Sequence, residues 1–381
     1  MNVFNSLIDQ SEVIEILKEA VKSAQKLNDS SQVMTNTWLF TGPPGSGRSN
    51  AAIAFAAALV CKEGGCSKCS DCMSTIIGTH VDVELIKTEG LSIKIDEIRE
   101  LITRASWAPS VASYRVVVIE DSDRLTESAA NALLKVIEEP GLRTIWLLCA
   151  PTLTDVLPTI RSRCRHLSLR TPSTKAVANL LIERESIDPK TAEFAARAAG
   201  GHIGRARRLA TDENAKQNRS SILKLPLTIK DVTSAYKAAQ FLVDAAKADA
   251  LKDSEKKDED EISKLKEAWG ATGSKMVSGG AKVVKELEKE QKSRATRMVR
   301  DYLDRALLDL STLYRDILLI QSNSTDSLIN QDLIEEIKRL AQVTRPEQTV
   351  AKIESILKTR RNLAHNAAPL LLIEALMCEL R

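Results

Sequence analysis

Apolar residues in the first third of the chain alternate between two spacings. Val13, Ile14, Ile16, Leu17, Ala20 and Val21 recur at the interval of one helix face, which predicts a helix over 11–28. A polar stretch from Asn28 to Gln32 follows. Trp38-Leu39-Phe40-Thr41 then reads as a short buried strand entering a glycine-rich loop, and Ala51 to Val60 as a helix of small residues suited to packing on a sheet. Val83 to Ile86 predicts a second strand and Ile95 to Ala105 a helix. Arg115-Val116-Val117-Val118-Ile119 has no polar alternation, as a parallel strand covered on both faces requires. Thr126 to Glu139 places Ala130, Leu133, Leu134 and Ile137 on one helix face and is stopped by Pro140. Thr144 to Cys149 and Leu167-Ser168-Leu169 complete the strands. Strands alternating with helices predict an α/β, doubly wound parallel sheet.

The pattern changes at Pro172. From about residue 173 to 225 the apolar positions, among them Val177, Leu180, Leu181, Ala195 and Leu209, give only helices, and from 226 onward the chain reads as all-helical. The expected division is 1–171, an α/β domain; 172–225, a small helical domain; and 226–381, an all-α domain. Within the last, residues 250–294 are Lys/Glu-rich with a break at Gly279-Gly280, and are expected to form a charged insertion or a solvated, extended helix. There is no internal repeat.

Composition narrows the function classes. The 381 residues are 43% hydrophobic but only 3% aromatic, so the core must be aliphatic. A net charge of +3 gives no overall attraction to nucleic acid, and any such contact would need a local basic patch. Four of the seven cysteines cluster, which suits a reducing compartment with one metal site better than a disulfide scaffold. Met1 to Ser6 has no signal-peptide pattern and the apolar run Ala51–Val60 is too short to span a bilayer, so a cytoplasmic protein without membrane contact is expected.

Five groups of residues carry candidate chemistry. Gly42-Pro43-Pro44-Gly45-Ser46-Gly47-Arg48-Ser49 matches the phosphate-loop pattern except that Arg48 replaces lysine. Such a loop surrounds phosphate oxygens with backbone N–H groups and a helix N-terminus, and Ser49 would offer its hydroxyl to magnesium. A guanidinium keeps the charge but spreads it over a planar fork. Glu120 and Asp121 end a strand where a metal-holding acid and a water-activating acid are expected in the order Asp then Glu, so they stand reversed; alternatively they cap a helix or pair with Arg124. Cys61-x4-Cys66-x2-Cys69-x2-Cys72 supplies four thiolates at zinc spacing with no open coordination position, which implies structural Zn2+; His80 reads as a loop residue. Arg161, Arg163 and Arg165 alternate in Arg161-Ser162-Arg163-Cys164-Arg165, where an outward arginine could serve a neighbour's γ-phosphate, contact a nucleic-acid backbone or simply be solvated. Gly200-Gly201-His202-Ile203-Gly204-Arg205 opens a basic helix that could sense nucleotide or simply present a basic surface.

Ser162-Arg163-Cys164, the segment Ser128 to Pro140 with its Asn-Ala-Leu-Leu-Lys and Glu-Glu-Pro steps, the four-cysteine insert and Gly78-Thr79-His80 together resemble the AAA+ clamp-loader subunits of bacterial DNA polymerase III. The resemblance covers about 1–225 strongly and 295–381, including Arg361 to Leu380, more weakly. It implies an AAA+ phosphate-loop domain, a helical lid and a collar. It also implies a hetero-pentamer with gamma/tau motor and delta subunits that loads a sliding clamp on primed DNA. The motor subunits of this family carry complete nucleotide sites, whereas one stationary subunit carries a decayed one. Arg48, the Glu120-Asp121 order, Ala150-Pro151 at a sensor position and Gly204 at a second, with Arg205 one place off, favour the stationary kind. Its own ATP/Mg2+ site would be weak or idle, and Arg163 would be an arginine finger acting in trans. An active ATPase motor and a zinc-bearing nucleic-acid binder are the competing readings.

Overall fold

The computed structural model describes residues 2–25, 34–88, 90–141, 143–268, 280–324, 328–364 and 367–381. They form two compact units, Met1–Arg207 and Arg208–Arg381.

In the first unit, five parallel strands stand in the order β2-β3-β4-β1-β5: β1 Thr37–Thr41, β2 Val83–Ile86, β3 Arg115–Ile119, β4 Thr144–Ala150 and β5 Arg165–Ser168. Helix α1 Ser11–Gln25 precedes β1; α2 Arg48–Val60, α3 Ser70–Ile77, α4 Ile95–Ala105, α5 Glu127–Glu138 and α6 Pro158–Arg161 connect the strands, and α7 Thr174–Glu185, α8 Pro189–Ala198 and the start of α9 Ile203–Thr211 follow. The central strands lack polar alternation because both faces are covered. Val116, Val118, Ile145 and Leu147 face one core with α1 and α2, while Val117, Ile119, Trp146 and Leu148 face a second with α4 and α5. From β1 the chain crosses to the far edge at β2, returns through β3 and β4, and crosses β1 to reach β5. A crevice therefore opens at the carboxyl ends of β1 and β4, the topological switch point, and the glycine loop leaves β1 there.

The last strand runs Arg165–Ser168 rather than over Leu167–Leu169. Its register on β1 is set by contacts that a hydrophobicity pattern omits. The Arg165 guanidinium lies 4.8 Å from the Trp38 ring centroid, and His166 Nε2 lies 2.6 Å from Thr41 Oγ1. Helix α3 was not expected, because it begins inside the cysteine cluster with Cys69 as its N-cap.

The second unit contains α10 Glu213–Thr228, α11 Val232–Ala268, α12 Gly280–Gln321, α13 Ile334–Val343, α14 Pro346–Ala364 and α15 Pro369–Glu379 around an aliphatic core. The Lys/Glu-rich stretch is helical on both sides of 269–279; those residues, which include Gly279, lie outside the described ones. It also folds on itself, since Arg294 is buried and paired with Asp258 and Glu261, and Gln291 Nε2 donates to the Asp258 carbonyl at 3.0 Å. Among the described residues no helix is long and apolar enough to cross a membrane.

Candidate functional site

The glycine loop has the backbone of a phosphate cradle. Gly45 and Gly47 take φ of +89° and +87°, in the left-handed region, and Gly47 caps α2 without a side chain. Ser46 N–H donates to the Pro43 carbonyl at 3.0 Å, and Gly42 N–H donates to the Pro151 carbonyl at 3.2 Å, tying the loop to the end of β4. The cation of the cradle points inward: Arg48 Nη1 donates to the Gly42 carbonyl at 2.8 Å. Ser46 Oγ and Arg48 Nε are buried and have no hydrogen-bond partner among the described residues. Ser49 is half-buried at the start of α2.

The two acids after β3 are not equivalent. Glu120 Oε2 lies 3.9 Å from Lys87 Nζ, and Asp121 precedes the short 3-10 turn Ser122–Arg124 without capping it by its side chain. Arg124 Nη1 donates to the Gly90 carbonyl at 3.3 Å. Sequence reasoning missed Asp123, whose Oδ1 is buried without a partner among the described residues. Burial pushes its carboxyl above the usual range, the Asp121 charge adds to this, and Arg124 and Arg48 oppose it. Nothing in the local sequence separates Asp123 from an ordinary turn aspartate.

Of the three alternating arginines, Arg165 stacks on Trp38 and Arg161 is half-buried, whereas Arg163 is exposed. Arg163 follows α6, donates through Nη1 to the Thr159 carbonyl at 2.9 Å and to Ser162 Oγ at 3.2 Å, and pairs through Nη2 with Glu138 Oε1 at 2.8 Å. Glu138 ends α5, so the Glu-Glu-Pro step directly orients the arginine. Cys164 beside it is largely buried, which pushes its thiol up to about 12 and leaves it unreactive.

The four cysteines converge. Their sulfurs all lie within 4.8 Å of one another, with Cys61–Cys66 at 3.8 Å and Cys69–Cys61 at 3.7 Å. A tetrahedral zinc with Zn–S bonds of about 2.3 Å requires sulfur–sulfur edges of about 3.8 Å, so the donor set fits such an ion. Backbone N–H groups of Cys66, Cys69 and Cys72 point at Cys61, Cys66 and Cys69 sulfurs, respectively, at 3.5, 3.4 and 3.4 Å. Burial pushes the Cys61 thiol up, but N–H groups of Cys66, Gly65 and Glu63 outweigh it and bring it down to about 7, while burial pushes Cys72 up. The positive φ of Gly64, Gly65 and Ser67 folds the loop this tightly. His80 stays outside the cluster; its Nδ1 accepts the Asp82 N–H at 3.0 Å.

The family described as "DNA polymerase III, delta subunit" matches residues 10–173, and "DNA polymerase III, delta subunit, C terminal" matches 299–381. The Bacillus subtilis DNA polymerase III subunit delta' is 27% identical over 336 residues, 87% of this chain and 87% of its own length. The chain belongs to the DNA polymerase III clamp-loader subunit family. Mycobacterium tuberculosis subunit gamma/tau is 32% identical over 178 residues, 44% of this chain but 31% of that protein. Pseudomonas aeruginosa subunit delta' is 33% identical over 147 residues, 37% of this chain and 45% of its own. A gamma subunit-related protein of known structure from Thermotoga maritima aligns over 95% of this chain and 98% of its own, at 18% identity and a TM-score of 0.41.

In this clamp-loader subunit the first matched stretch contains the cradle, the cysteine site and Arg163, and the second contains most of α12 and all of α13 to α15. The long α11 and the start of α12 lie between the two.

Proposed function

We propose that this subunit is the delta-prime, stationary member of the clamp loader: it helps place the sliding clamp on primed DNA and lends Arg163 to ATP held by a neighbouring gamma/tau motor subunit, with delta also in the pentamer. The observation that carries this is the contrast between two arginines. Arg48, which should face its own phosphates, is hydrogen-bonded to its own loop, whereas Arg163 is exposed and held by side-chain and carbonyl groups at a surface. A cation held that way is suited to charge developing on another chain. Glu120 and Asp121 in reversed order support the same reading, because phosphoryl transfer depends on positioning. The chain's own ATP/Mg2+ site is then weak or idle.

The three-domain organisation, with 172–225 as lid and 226–381 as collar, belongs to this proposal, as do a cytoplasmic location and structural Zn2+ on Cys61, Cys66, Cys69 and Cys72. Ion and thiolates would close the loop without offering a reactive position. The test is ATP turnover by the purified chain and by the reconstituted loader. The isolated chain should turn over negligible ATP, and Arg163→Ala should depress turnover in the assembly. Motor-like hydrolysis by the chain alone would favour the active-motor reading instead.

A further inference from the structure

We propose that His202 is a built-in plug of the phosphate loop, an autoinhibitory contact that holds the cradle shut. The inference rests on the reading of an idle cradle and supplies its steric cause. Gly45 is where the loop bends into the left-handed region, and His202 lies directly on it. A Cβ placed on Gly45 would meet His202 Cγ, Cβ and Cα at 2.6, 2.7 and 2.8 Å. The contact is therefore made by both the backbone and the ring of residue 202.

The approach is engineered by the two glycines before it. Gly200 and Gly201 take φ of +58° and +84°. A Cβ on Gly201 would fall 2.4 Å from the Pro172 carbonyl oxygen and 2.5 Å from Thr171 Cγ2, so the turn is pressed against the connector that follows β5. His202 is then fixed from both sides: its N–H donates to the Ala199 carbonyl at 3.2 Å, and its Nδ1 accepts the Arg205 N–H at 3.3 Å, opening α9. In the same loop, Ser46 is 3% exposed with its hydroxyl unpartnered among the described residues, and Arg48 is turned onto Gly42. On this reading, a triphosphate entering the loop displaces the Gly200–His202 turn from Gly45. Two barriers therefore act in series, the misdirected guanidinium and the plug.

Calorimetric titration of the full chain with Mg–ATP separates them. Arg48→Lys alone should remain nucleotide-blind, whereas Arg48→Lys with His202→Ala should bind at least about tenfold more tightly. In the double variant, nucleotide should also change amide exchange across 199–205. His202→Ser, which can still cap α9, replaces His202→Ala if the latter unfolds. Equal binding by the single and double variants, or none by a folded double variant, overturns the plug. Tight binding and cleavage by the unmodified chain would instead overturn the idle-cradle reading.

Discussion

Arg48 Nη1 donates to the carbonyl of Gly42, six residues earlier in the same loop, at 2.8 Å. Gly42 is also closely packed. A Cβ at Gly42 would meet Ser46 Oγ at 2.4 Å and the Leu169 carbonyl oxygen at 2.7 Å, whereas one at Gly47 meets nothing within 4 Å. Gly42→Ala should cost about 2–3 kcal/mol by overpacking. Gly47→Ala should cost only about 1 kcal/mol, from its positive φ. Thermal unfolding of the two variants checks the order, with about 2–4 °C expected per kcal/mol.

Arg163 should be dispensable for folding. Its pair with Glu138 joins two side chains that are each 42% exposed, and pairs of that kind contribute about 0–1 kcal/mol. Arg163→Ala should leave the melting temperature within a few degrees, yet lower turnover at the adjacent motor site by about 10³-fold or more. Arg163→Lys should recover little, because an ammonium lacks the planar fork. Unchanged turnover in a reconstituted loader would remove Arg163 from the mechanism.

The cysteine site should carry one metal ion per chain. Its loop is stitched to the N-terminal segment, where Val3 N–H donates to the Gly65 carbonyl at 3.0 Å and a Cβ on Gly65 would press Val3 Cγ2 at 2.6 Å. Cys69→Ser should lower metal content and loosen residues 2–7 together with 61–72. Metal analysis paired with amide exchange reads both, and intact exchange protection without metal would show that the thiols alone suffice.

Asp82 gives the first unit a defined acid limit. It is 1% exposed and accepts N–H bonds from Ser110, Val111 and Ala112 at 2.7, 2.7 and 2.8 Å. Burial pushes its carboxyl up, but these N–H groups and His80 outweigh that and hold it below the usual carboxylate range. A lowered folded-state value means that the stabilisation is complete above the unfolded value of about 3.9 and is lost as pH falls through the folded one. Asp82→Asn should lower stability at neutral pH by about 2 kcal/mol and flatten that acid dependence in a pH series of urea melts.

In the second unit, Arg219 is 4% exposed, with its Nε 3.0 Å from Asp309 Oδ1, and it also bonds Asn330. Arg219→Ala removes a buried guanidinium from beside Asp309 and should cost about 3–5 kcal/mol, whereas Arg219→Met with Asp309→Leu should recover much of that loss. A double-mutant cycle measures the coupling, and additive losses would show that the pair is energetically inert.

The parts of this subunit legible in its sequence are those encoded by neighbours in the chain. β3 and β4 could be read because burial on both faces removes polar alternation, and α5 because Ala130, Leu133 and Ile137 recur on one face before Pro140. The cradle and the cysteine cluster followed from spacing, since a tight turn and a tetrahedral site are both short-range demands on the backbone. The shift of β5 to Arg165–Ser168 was not legible, because a stack on Trp38 and a bond to Thr41 fix its register.

By itself, then, the sequence determined the sheet, its loop and the donor set, because each is written in residues a few positions apart. Only the tertiary structure decided which remote groups meet: Arg163 and Glu138, Arg294 with Asp258 and Glu261, and His202 and Gly45. Long flexible side chains choose among partners that the fold brings together from distant positions, and no local periodicity records that choice.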